Sequence, residues 1–450
     1  MKVTRRDLIK GSVVSIASSP LLKIDSFAES LASSNLIEPK RIKSVNGVLN
    51  VTLEAKPTML SFQGKKRWAL TYNGTFPGPT LVAKPGDVIN VVLKNSTNQM
   101  TNLHTHGPHV SPNGNSDNPF IMIDPGKTFK YQFKIPKNQE PGTFWYHPHH
   151  HEFVAKQLSA GLAGTIIIEG ESDKLLSKTS DRVLVFADPR IGTTEAVMDT
   201  GMMDQMHGRI GDYLLINGQL KPTITAKKDV TERWRLVNAS PSLFLNLSIE
   251  GGTFTVIGTD GGRTKPYEVS KLSITPGQRY EVLVNTTRSG FVRIFHENGV
   301  IGYLNSPVIK AQIPAIPAVA TIPAAKVVKT RNIAIEQKGN GMMSMNFTFN
   351  GETFSADKIN QKVKLNTVED WVLTNTSHMV HPFHIHAWAF QIIDRGDGKP
   401  EPGWKDTVVI PVGSKVRIRI NFADFGGKSV YHCHILDHED TGMMGIVEVK

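Results

Sequence analysis

Short apolar and β-branched segments, separated by turn residues, recur along most of the chain. Examples lie at 88–93, 165–168, 280–284, 416–420 and 446–449. Evenly spaced short strands bounded by Gly, Pro and Asn are typical of antiparallel sandwiches and barrels. Helical periodicity is weak and confined to short connections. The pattern therefore predicts an all-β protein.

The same layout of turns and strands occurs three times. An Asn-Gly pair followed by a strand-like segment begins at Asn73, again at Asn217 and again at Asn350. A period of about 140 residues is that of whole domains rather than of a solenoid repeat. We predict β-barrel domains at 44–170, 181–306 and 329–450, with a charged, Ser-rich linker at 169–180 and a Pro-rich linker at 306–328.

Composition limits what this all-β chain can be. Its 450 residues are enough for two or three domains, and 39% apolar against 20% charged residues indicates a packed globular protein. Cys433 is the sole cysteine, so a disulfide framework is excluded. The formal net charge is +11, of which residues 1–28 carry +3, and the charge of the remaining chain is scattered rather than clustered. We therefore expect this charge to serve solubility, and we expect no nucleic-acid partner.

The first residues have the pattern of an export signal. Arg5 and Arg6 precede an apolar stretch at 13–22 and the small residue Ala28. A basic start, a short apolar stretch and a small-residue cleavage site describe a signal peptide, and paired arginines mark the twin-arginine type. The apolar stretch is too short to span a bilayer. We predict a signal at 1–28, export by the twin-arginine machinery to the periplasm, no membrane insertion, and a monomer.

Histidines spaced two residues apart are the strongest chemical signal. On a strand, residues i and i+2 face the same side about 6.6–6.8 Å apart, so each His-x-His pair presents two imidazoles to neighbouring metal ions. Such pairs supply eight imidazoles, which suit a cluster of about three ions. All belong to the first and third repeats, so we predict a cluster between those domains and a middle domain that is a spacer without copper. The pairs are His104 and His106, His147 and His149, His384 and His386, and His432 and His434.

Cys433 lies between two of these histidines, so on a strand it faces the opposite side. His438 follows five residues later and Met443 ten residues later. A thiolate, two imidazoles and a weakly bound thioether are the ligands of a blue-copper electron-transfer site, whereas zinc favours a closed tetrahedral set with other spacings. His381, a histidine left without a pair, is the candidate for the second imidazole. The sequence therefore indicates copper.

These motifs resemble those of three-domain multicopper oxidases along essentially the whole mature chain. The matching segments are His104 to Gly107, Trp145 to His149, His381 to His386, and His432 to Met443. The last is most similar to the bacterial branch of copper-tolerance cuprous oxidases and spore-coat laccases. The resemblance implies three cupredoxin-like Greek-key β-barrel domains in tandem. It also implies four copper ions per chain, one of type 1, one of type 2 and two of type 3.

The resemblance further implies a role for each candidate ligand. It assigns type 1 copper to His381, Cys433, His438 and Met443, and type 2 copper to His104 and His384. It assigns one type 3 copper to His106, His147 and His434, and the other to His149, His386 and His432. Every ligand position is filled, which argues against the copper-free relative of this family that serves as a cell-division scaffold.

The function implied by the resemblance is an oxidase of a small reducing substrate. In this family the substrate gives one electron at the type 1 copper, the electron passes through the thiolate, here that of Cys433, and after four such steps the trinuclear cluster reduces O2 to water. By resemblance, Glu439 and Asp117 are the acids on the proton route, and Asp406 is a candidate to orient a ligand histidine. The alternatives are a copper-binding scaffold or electron carrier without turnover, and a copper nitrite reductase, which would need two domains and no type 3 pairs.

The physiological reductant stays open between phenols and metal ions such as Cu(I), Fe(II) or Mn(II), and Cu(I) would imply a role in copper tolerance. Two groups of methionines bear on this question. The spacing of the first predicts core packing, and the second lies in a predicted loop where thioethers are candidate Cu(I) ligands. They are Met198, Met202 and Met206, and Met342, Met343 and Met345. Ser377 stands where the cuprous oxidases of the family use an Asp, which argues against strong cuprous oxidase activity.

Overall fold

The computed structural model describes residues 34–62, 64–190, 192, 200–317, 320–338 and 346–450. The predicted export signal and the methionines Met198, Met342, Met343 and Met345 lie outside the described residues. Strands dominate the described chain, and they pair into six sheets, two for each of the three repeats. The protein therefore has the all-β architecture that its hydrophobic pattern predicts.

The first repeat is a sandwich of two sheets. Its elements are β1 (Arg41–Lys43), β2 (Val48–Phe62), β3 (Lys65–Tyr72), β4 (Thr80–Ala83), β5 (Val88–Asn95), β6 (His104–His106), β7 (Thr128–Lys134), β8 (Gly142–His147), α1 (Val154–Ser159) and β9 (Gly164–Ile168). The sheets have the orders β1-β4-β9-β8-β6 and β3-β2-β5-β7. Alternate residues of β5, Ile89, Val91 and Leu93, are buried in one core with Leu81 and Ile166 of the other sheet. This is the period-two burial that an apolar-polar alternation produces.

The second repeat has the same two-sheet plan. Its elements are α2 (Glu171–Lys174), β10 (Ser180–Ala187), α3 (Met202–His207), β11 (Leu215–Ile216), β12 (Thr223–Thr225), β13 (Glu232–Asn238), β14 (Leu245–Ile249), β15 (Gly252–Thr259), β16 (Gly262–Val269), β17 (Leu272–Ile274), β18 (Arg279–Thr286), β19 (Gly290–His296) and β20 (Gly299–Ser306). The sheets are β11-β10-β13-β18-β15-β16 and β12-β20-β19-β14-β17. Trp234 and Phe254 lie in the core between them.

The third repeat begins after a short 3-10 helix at Ala324–Lys326. Its elements are β21 (Val327–Lys338), β22 (Asn346–Phe349), β23 (Ile359–Val363), β24 (Thr367–Asn375), β25 (His381–Ile385), β26 (Phe390–Asp394), β27 (Thr407–Ile410), β28 (Lys415–Phe422), β29 (Gly427–Cys433), α4 (Leu436–Asp440) and β30 (Met444–Val449). The sheets are β22-β21-β24-β28-β26 and β23-β30-β29-β25-β27. Its core contains Trp371 and Phe383 together with Cys433 and Met443.

The repeated Asn-Gly pair is a repeated turn. Asn73, Asn217 and Asn350 have φ values of 58°, 52° and 51°, and the glycine after each also has a positive φ. Asparagine and glycine are the residues that adopt this left-handed conformation most readily. Each asparagine Oδ1 also accepts a hydrogen bond from a backbone N–H of an earlier strand, at 2.7, 2.8 and 2.7 Å. In each repeat the Asn-Gly pair therefore forms the turn, and the asparagine side chain bonds that turn to the corresponding earlier strand.

The sheets are mixed rather than purely antiparallel. Strands β2 and β5, β10 and β13, and β21 and β24 are parallel neighbours, one pair in each repeat. Parallel neighbours need a crossover connection, and here each crossover includes a strand of the opposite sheet, namely β4, β12 or β23. The sheets are therefore not purely antiparallel, as the short strands and turns had led us to expect. The spacing of strands along the chain does not reveal these crossovers, so the parallel pairs could not be predicted from it.

A further apolar cluster joins the three repeats. It includes Trp145 and Val154 of the first repeat, Val185 and Val237 of the second, and Leu436 of the third. Burial of this shared surface fixes the repeats against one another, and the residues that flank Trp145 and Leu436 include many of the candidate ligands. Among the described helices, none is both long enough and apolar enough to cross a membrane.

Candidate metal centre

Two pairs of neighbouring strands position the histidines. Strand β6 lies antiparallel to β8, with His104 opposite His147, and β25 lies antiparallel to β29, with His384 opposite His432. The other histidine of each pair lies in β6 or just beyond the end of its strand: His106, His149, His386 and His434. Because side chains alternate along a strand, the members of a His-x-His pair project to one side.

All eight histidines are buried, with at most 2% of any of them exposed. Rings of the first repeat stack on rings of the third. The centroids of His104 and His386 lie 3.7 Å apart with planes at 12°, and those of His106 and His384 lie 3.8 Å apart at 16°. The histidine cluster therefore lies where the first and third repeats meet.

Within the histidine cluster, three groups of rings each bring nitrogen atoms within 4.8 Å of one another. The groups are His104, His106 and His384; His106, His147 and His434; and His149, His386 and His432. The last two have the same members as the sets that the resemblance assigns to the type 3 coppers. The first contains both histidines that the resemblance assigns to type 2 copper.

Hydrogen bonds occupy one nitrogen of several rings and leave the other free. His104 Nδ1–H donates to Asp117 at 2.9 Å, and His384 Nδ1–H donates to the carbonyl of Asp406 at 2.8 Å. Within the described chain, Nε2 of His104, His147 and His384 is buried without a hydrogen-bond partner. Such an atom costs about 1–3 kcal/mol, so a set of them indicates that a ligand completes the cluster. Neutral imidazoles with a free lone pair suit transition metals such as copper.

The geometry of the third group, His149, His386 and His432, also suits a metal ion. Nε2 of His149 and Nε2 of His386 each lie 3.1 Å from Nε2 of His432. A proton between two imidazoles can serve one pair only, whereas a cation can accept lone pairs from all three rings. Burial lowers the pKa of His149 to about 4 and that of His147 to about 3, so these rings are neutral at pH 7.

A second metal-binding group surrounds Cys433. Its Sγ lies 3.5 Å from Nδ1 of His381 and 3.8 Å from Nδ1 of His438, and none of these side chains is exposed. Met443 is equally buried, and its carbonyl accepts the N–H of Cys433 at 3.1 Å. Burial raises the pKa of the Cys433 thiol, so this thiol stays protonated until a metal displaces its proton.

The outer nitrogens of both Cys433-group imidazoles are capped. His381 Nε2 and the Ser377 hydroxyl lie 2.9 Å apart, and His438 Nε2–H donates to the carbonyl of Met206 in α3 at 3.4 Å. Helix α3 of the middle repeat therefore covers His438. Met202 and Met203 on this helix are 53% and 64% exposed. The prediction of core packing is wrong for Met202, because α3 is a short surface helix rather than a core element.

The two candidate acids lie at different histidines. Asp117 contacts His104 and also accepts the N–H of Thr105 at 2.8 Å, and burial raises the pKa of its carboxyl to about 7. Glu439 is fully buried, with its carboxylate 2.9 Å from His432 Nδ1 and 3.2 Å from His149 Nε2. Burial alone would raise the pKa of Glu439, but the neighbouring imidazoles of His149 and His432 hold it below its usual range.

The middle repeat adds two buried arginines that the sequence did not single out. Arg279 of β18 makes two hydrogen bonds to the carboxylate of Asp406, at 2.8 and 2.6 Å. Arg209 holds the carboxylate of Asp437, next to His438, at 3.0 and 2.6 Å. A charged residue beside a turn ordinarily lies in water, so nothing local in the sequence marks either arginine. The middle repeat is therefore more than a spacer.

Known proteins resemble this chain along most of its length. The chain matches three family models, each described as multicopper oxidase, at residues 54–173, 186–295 and 328–450. It is 31% identical over 422 residues to a Staphylococcus haemolyticus protein named multicopper oxidase mco, and the match covers 90% of each chain.

Solved structures with a similar fold include two bacterial enzymes. A Campylobacter jejuni multicopper oxidase described as a metallo-oxidase is 31% identical, with a TM-score of 0.83 over 93% of this chain and 95% of that one. A laccase from Pediococcus acidilactici is 29% identical, with a TM-score of 0.82 over 93% of this chain and 94% of that one. The similarity therefore extends over all three repeats.

Proposed function

The chain belongs to the multicopper oxidase family, and on that premise we propose that it couples four one-electron oxidations of a small reducing substrate to the reduction of O2 to water. Family membership makes it an oxidoreductase of tandem cupredoxin-like domains that contains copper and uses O2 and a reducing substrate. How the copper ions are divided, and which substrate they oxidise, is inferred from the side chains of the two metal groups.

We assign four copper ions to the residues that lie together. Type 1 copper is held by His381, Cys433, His438 and Met443, and type 2 copper by His104 and His384. The type 3 coppers are held by His106, His147 and His434, and by His149, His386 and His432. The observation that supports this assignment most directly is the set of buried ring nitrogens without a partner in the described chain. A buried thiol that faces two Nδ1 atoms supports the type 1 position.

Bound copper supplies the one-electron chemistry and the capacity to reduce O2. The protein connects the two groups and excludes water from both. Cys433 is flanked in the chain by His432 and His434, so a single peptide unit on each side joins the thiol to the histidine cluster. The reaction consumes four electrons and four protons for each O2 reduced to two waters, so the protein must also deliver protons to a buried cluster.

We propose Asp117 and Glu439 for that delivery. The pKa of about 7 divides Asp117 between its carboxyl and carboxylate forms near neutral pH, so it can both hold and release a proton beside His104. The neighbouring imidazoles hold the pKa of Glu439 below its usual range, so Glu439 offers a carboxylate acceptor between His149 and His432.

We propose phenols and metal ions such as Cu(I) as the candidate reductants, with a role in copper tolerance if Cu(I) is oxidised. The relatives support both classes, because one solved structure is described as a metallo-oxidase and another as a laccase. A scaffold or electron carrier without turnover would need a broken ligand set. The complete set of buried candidate ligands supports the oxidase instead.

We also propose that the protein reaches the periplasm through the twin-arginine machinery, works there as a monomer, and divides into domains at 44–170, 181–306 and 329–450. Arg5 and Arg6 support the export route. The grouping of the sheets into three successive pairs supports the domain division.

Steady-state O2 uptake by the copper-loaded protein tests the proposed function. Cu(I), Fe(II), Mn(II) and a phenol are supplied in turn, and the rate with the Cys433→Ser variant is subtracted to remove oxidation that does not need the type 1 group. We expect uptake with at least one reductant at a stoichiometry of four electrons per O2. Fully copper-loaded protein that consumes no O2 with any of them would refute the oxidase and favour a copper-binding scaffold.

A further inference from the structure

Arg279 lies at the junction of all three repeats. It begins β18 in the middle repeat, and none of its surface is exposed. Its Nη2 donates to the carbonyl of Asp260 at 2.7 Å, and its Nε donates to the carbonyl of Thr143, in the first repeat, at 3.2 Å. The remaining hydrogen bonds of the guanidinium include the pair to both carboxylate oxygens of Asp406, in the third repeat. The planar guanidinium is thereby held at several points and orients Asp406.

Asp406 in turn contacts two rings of the histidine cluster. Its Oδ1 lies 3.1 Å from Nε2 of His106, and its backbone carbonyl accepts Nδ1–H of His384 at 2.8 Å. A carboxylate and a carbonyl can only accept, so His106 is protonated at Nε2 and His384 at Nδ1. The opposite nitrogens, His106 Nδ1 and His384 Nε2, are buried atoms without a partner in the described chain. One aspartate therefore determines which nitrogen each of two candidate ligands presents.

The space around Arg279 is closed as well as polar. Gly107 follows His106 with a φ of 104°, and a Cβ there would overlap Nη2 of Arg279. Gly277, two residues before Arg279, approaches His434 so closely that a Cβ would lie 2.8 Å from that ring. The lack of a side chain at Gly107 and Gly277 therefore allows the middle repeat to reach the histidine cluster.

We propose that Arg279 is a positioning residue for the histidine cluster. By holding both oxygens of Asp406, it fixes the tautomer of His106 and anchors the residue whose backbone carbonyl fixes that of His384, so that the free nitrogen of each ring stays available for copper. The inference rests on the proposed function, since it concerns the same copper cluster. It assigns the middle repeat a part in metal binding, although that repeat supplies none of the proposed ligands. The guanidinium is permanently charged, so its part is orientation and not proton transfer.

The test compares Arg279→Gln with a matched control, Arg235→Gln. Arg235 is also buried in the middle repeat and forms ion pairs, but these run to Glu281, Asp181 and Asp173 and not to Asp406. Both variants are loaded with copper. Copper content per chain, the electron paramagnetic resonance signal of type 2 copper, the blue absorption of the Cys433 group and the thermal midpoint are then measured.

We expect Arg279→Gln to weaken copper binding at the cluster about ten- to a hundredfold and to change the type 2 signal, while the blue absorption is retained. Arg235→Gln should lower the thermal midpoint by a similar amount and leave the type 2 signal unchanged. The two variants thus separate loss of a buried ion pair, which both suffer, from loss of ligand orientation. A wild-type type 2 signal and wild-type copper content in Arg279→Gln would overturn the proposal, as would an equal spectral change in Arg235→Gln.

Two further variants keep the test decisive if Arg279→Gln does not fold. Arg279→Lys keeps the charge but cannot bind both carboxylate oxygens in a planar fork, and Asp406→Asn removes one of the two acceptor oxygens. An altered type 2 signal in both supports the proposal, and an unaltered signal in both overturns it. Wild-type protein without a copper cluster would instead refute the proposed function itself, so the two failures are distinguishable.

Discussion

Cys433 Sγ lies 3.5 Å from Nδ1 of His381, although the two residues are 52 positions apart in the chain. The antiparallel register of β25 and β29 explains this contact, because it sets Phe383 opposite Cys433 and His384 opposite His432. Odd-numbered side chains of β25 then share a face with Cys433, and even-numbered ones share the other face with His432. One strand pairing therefore separates the two metal groups by the thickness of a sheet.

Metal analysis of the copper-loaded protein is expected to find about four copper ions per chain, because the candidate ligands divide into one group around Cys433 and a cluster suited to about three ions. Elemental analysis by mass spectrometry measures this number directly. One copper ion per chain, or zinc in place of copper in active protein, would contradict the assignment.

Replacing Cys433 is expected to disable the metal group around this thiol and to spare the histidine cluster. Cys433→Ser should abolish the intense blue absorption and the oxidation of substrate, since serine provides no copper–thiolate bond. The histidine cluster should largely retain its copper, because its rings lie on the other face of β29. Absorption spectra, copper content and O2 uptake measure these three effects. A variant that remains blue and active would disprove the role of this thiol.

Replacing Asp117, the carboxyl group proposed to hold a proton, is expected to slow O2 reduction without affecting the metal group around Cys433. Asp117→Asn keeps the size of the side chain but cannot release a proton, so turnover should fall about 10²- to 10⁴-fold if proton delivery limits the rate. The blue absorption should persist, and the rate should lose its dependence on a group with a pKa of about 7. Asp124→Asn, at an exposed position of the same repeat, is the matched control. Equal pH profiles for Asp117→Asn and wild type would contradict this role.

Copper-free protein is expected to lose stability as the pH falls below about 6.5. The folded protein binds protons weakly at its buried imidazoles, with pKa values of about 3 for His147 and about 4 for His149, whereas the unfolded chain titrates near 6.5. Between the folded and unfolded pKa values the unfolded chain binds more protons. Each such imidazole therefore lowers the free energy of unfolding by about 1.4 kcal/mol for every pH unit of acidification. Buried carboxyls with a raised pKa, such as Asp117, act in the opposite direction but are fewer.

Thermal unfolding of the chelated protein at pH 7 and pH 5 measures this effect. The midpoint should fall on acidification, and it should fall less for copper-loaded protein, in which copper competes with protons for the same nitrogens. A midpoint of the copper-free protein that stays level or rises toward pH 5 would show that the rings are not buried in their neutral form.

Local features of this protein could be predicted from its sequence because they depend on neighbouring residues. Alternation within β5 predicts its buried face, and the spacing of His432 and His434 places both on the side opposite Cys433. The repeated Asn-Gly pair likewise predicts a turn, since few residues adopt a positive φ.

Features that depend on how the repeats pack could not be predicted. The stacking of His104 on His386 and the ion pair of Arg279 with Asp406 join residues more than a hundred positions apart, and no short-range pattern encodes either. The exposure of Met202 was also missed, because a four-residue spacing shows that methionines share a helix face but not whether that face is buried. Such contacts are determined by the packing of whole domains.

The exposed methionines of α3 lead to a prediction about the substrate. Met202 and Met203 lie on the helix whose Met206 carbonyl caps His438, so they carry soft thioethers near a proposed ligand of the type 1 copper. Replacing both with Leu keeps the apolar volume and removes only the sulfur, and a change at an exposed position alters stability by about 0.5 kcal/mol or less. We expect the Met202→Leu/Met203→Leu variant to oxidise Cu(I) several-fold more slowly at low Cu(I) concentration, with phenol oxidation unchanged. Met59→Leu/Met122→Leu, at exposed positions of the first repeat, is the control. Equal rates with both reductants in the α3 variant would show that its methionines do not bind the substrate, and a laccase-like oxidase of phenols would then be the better description.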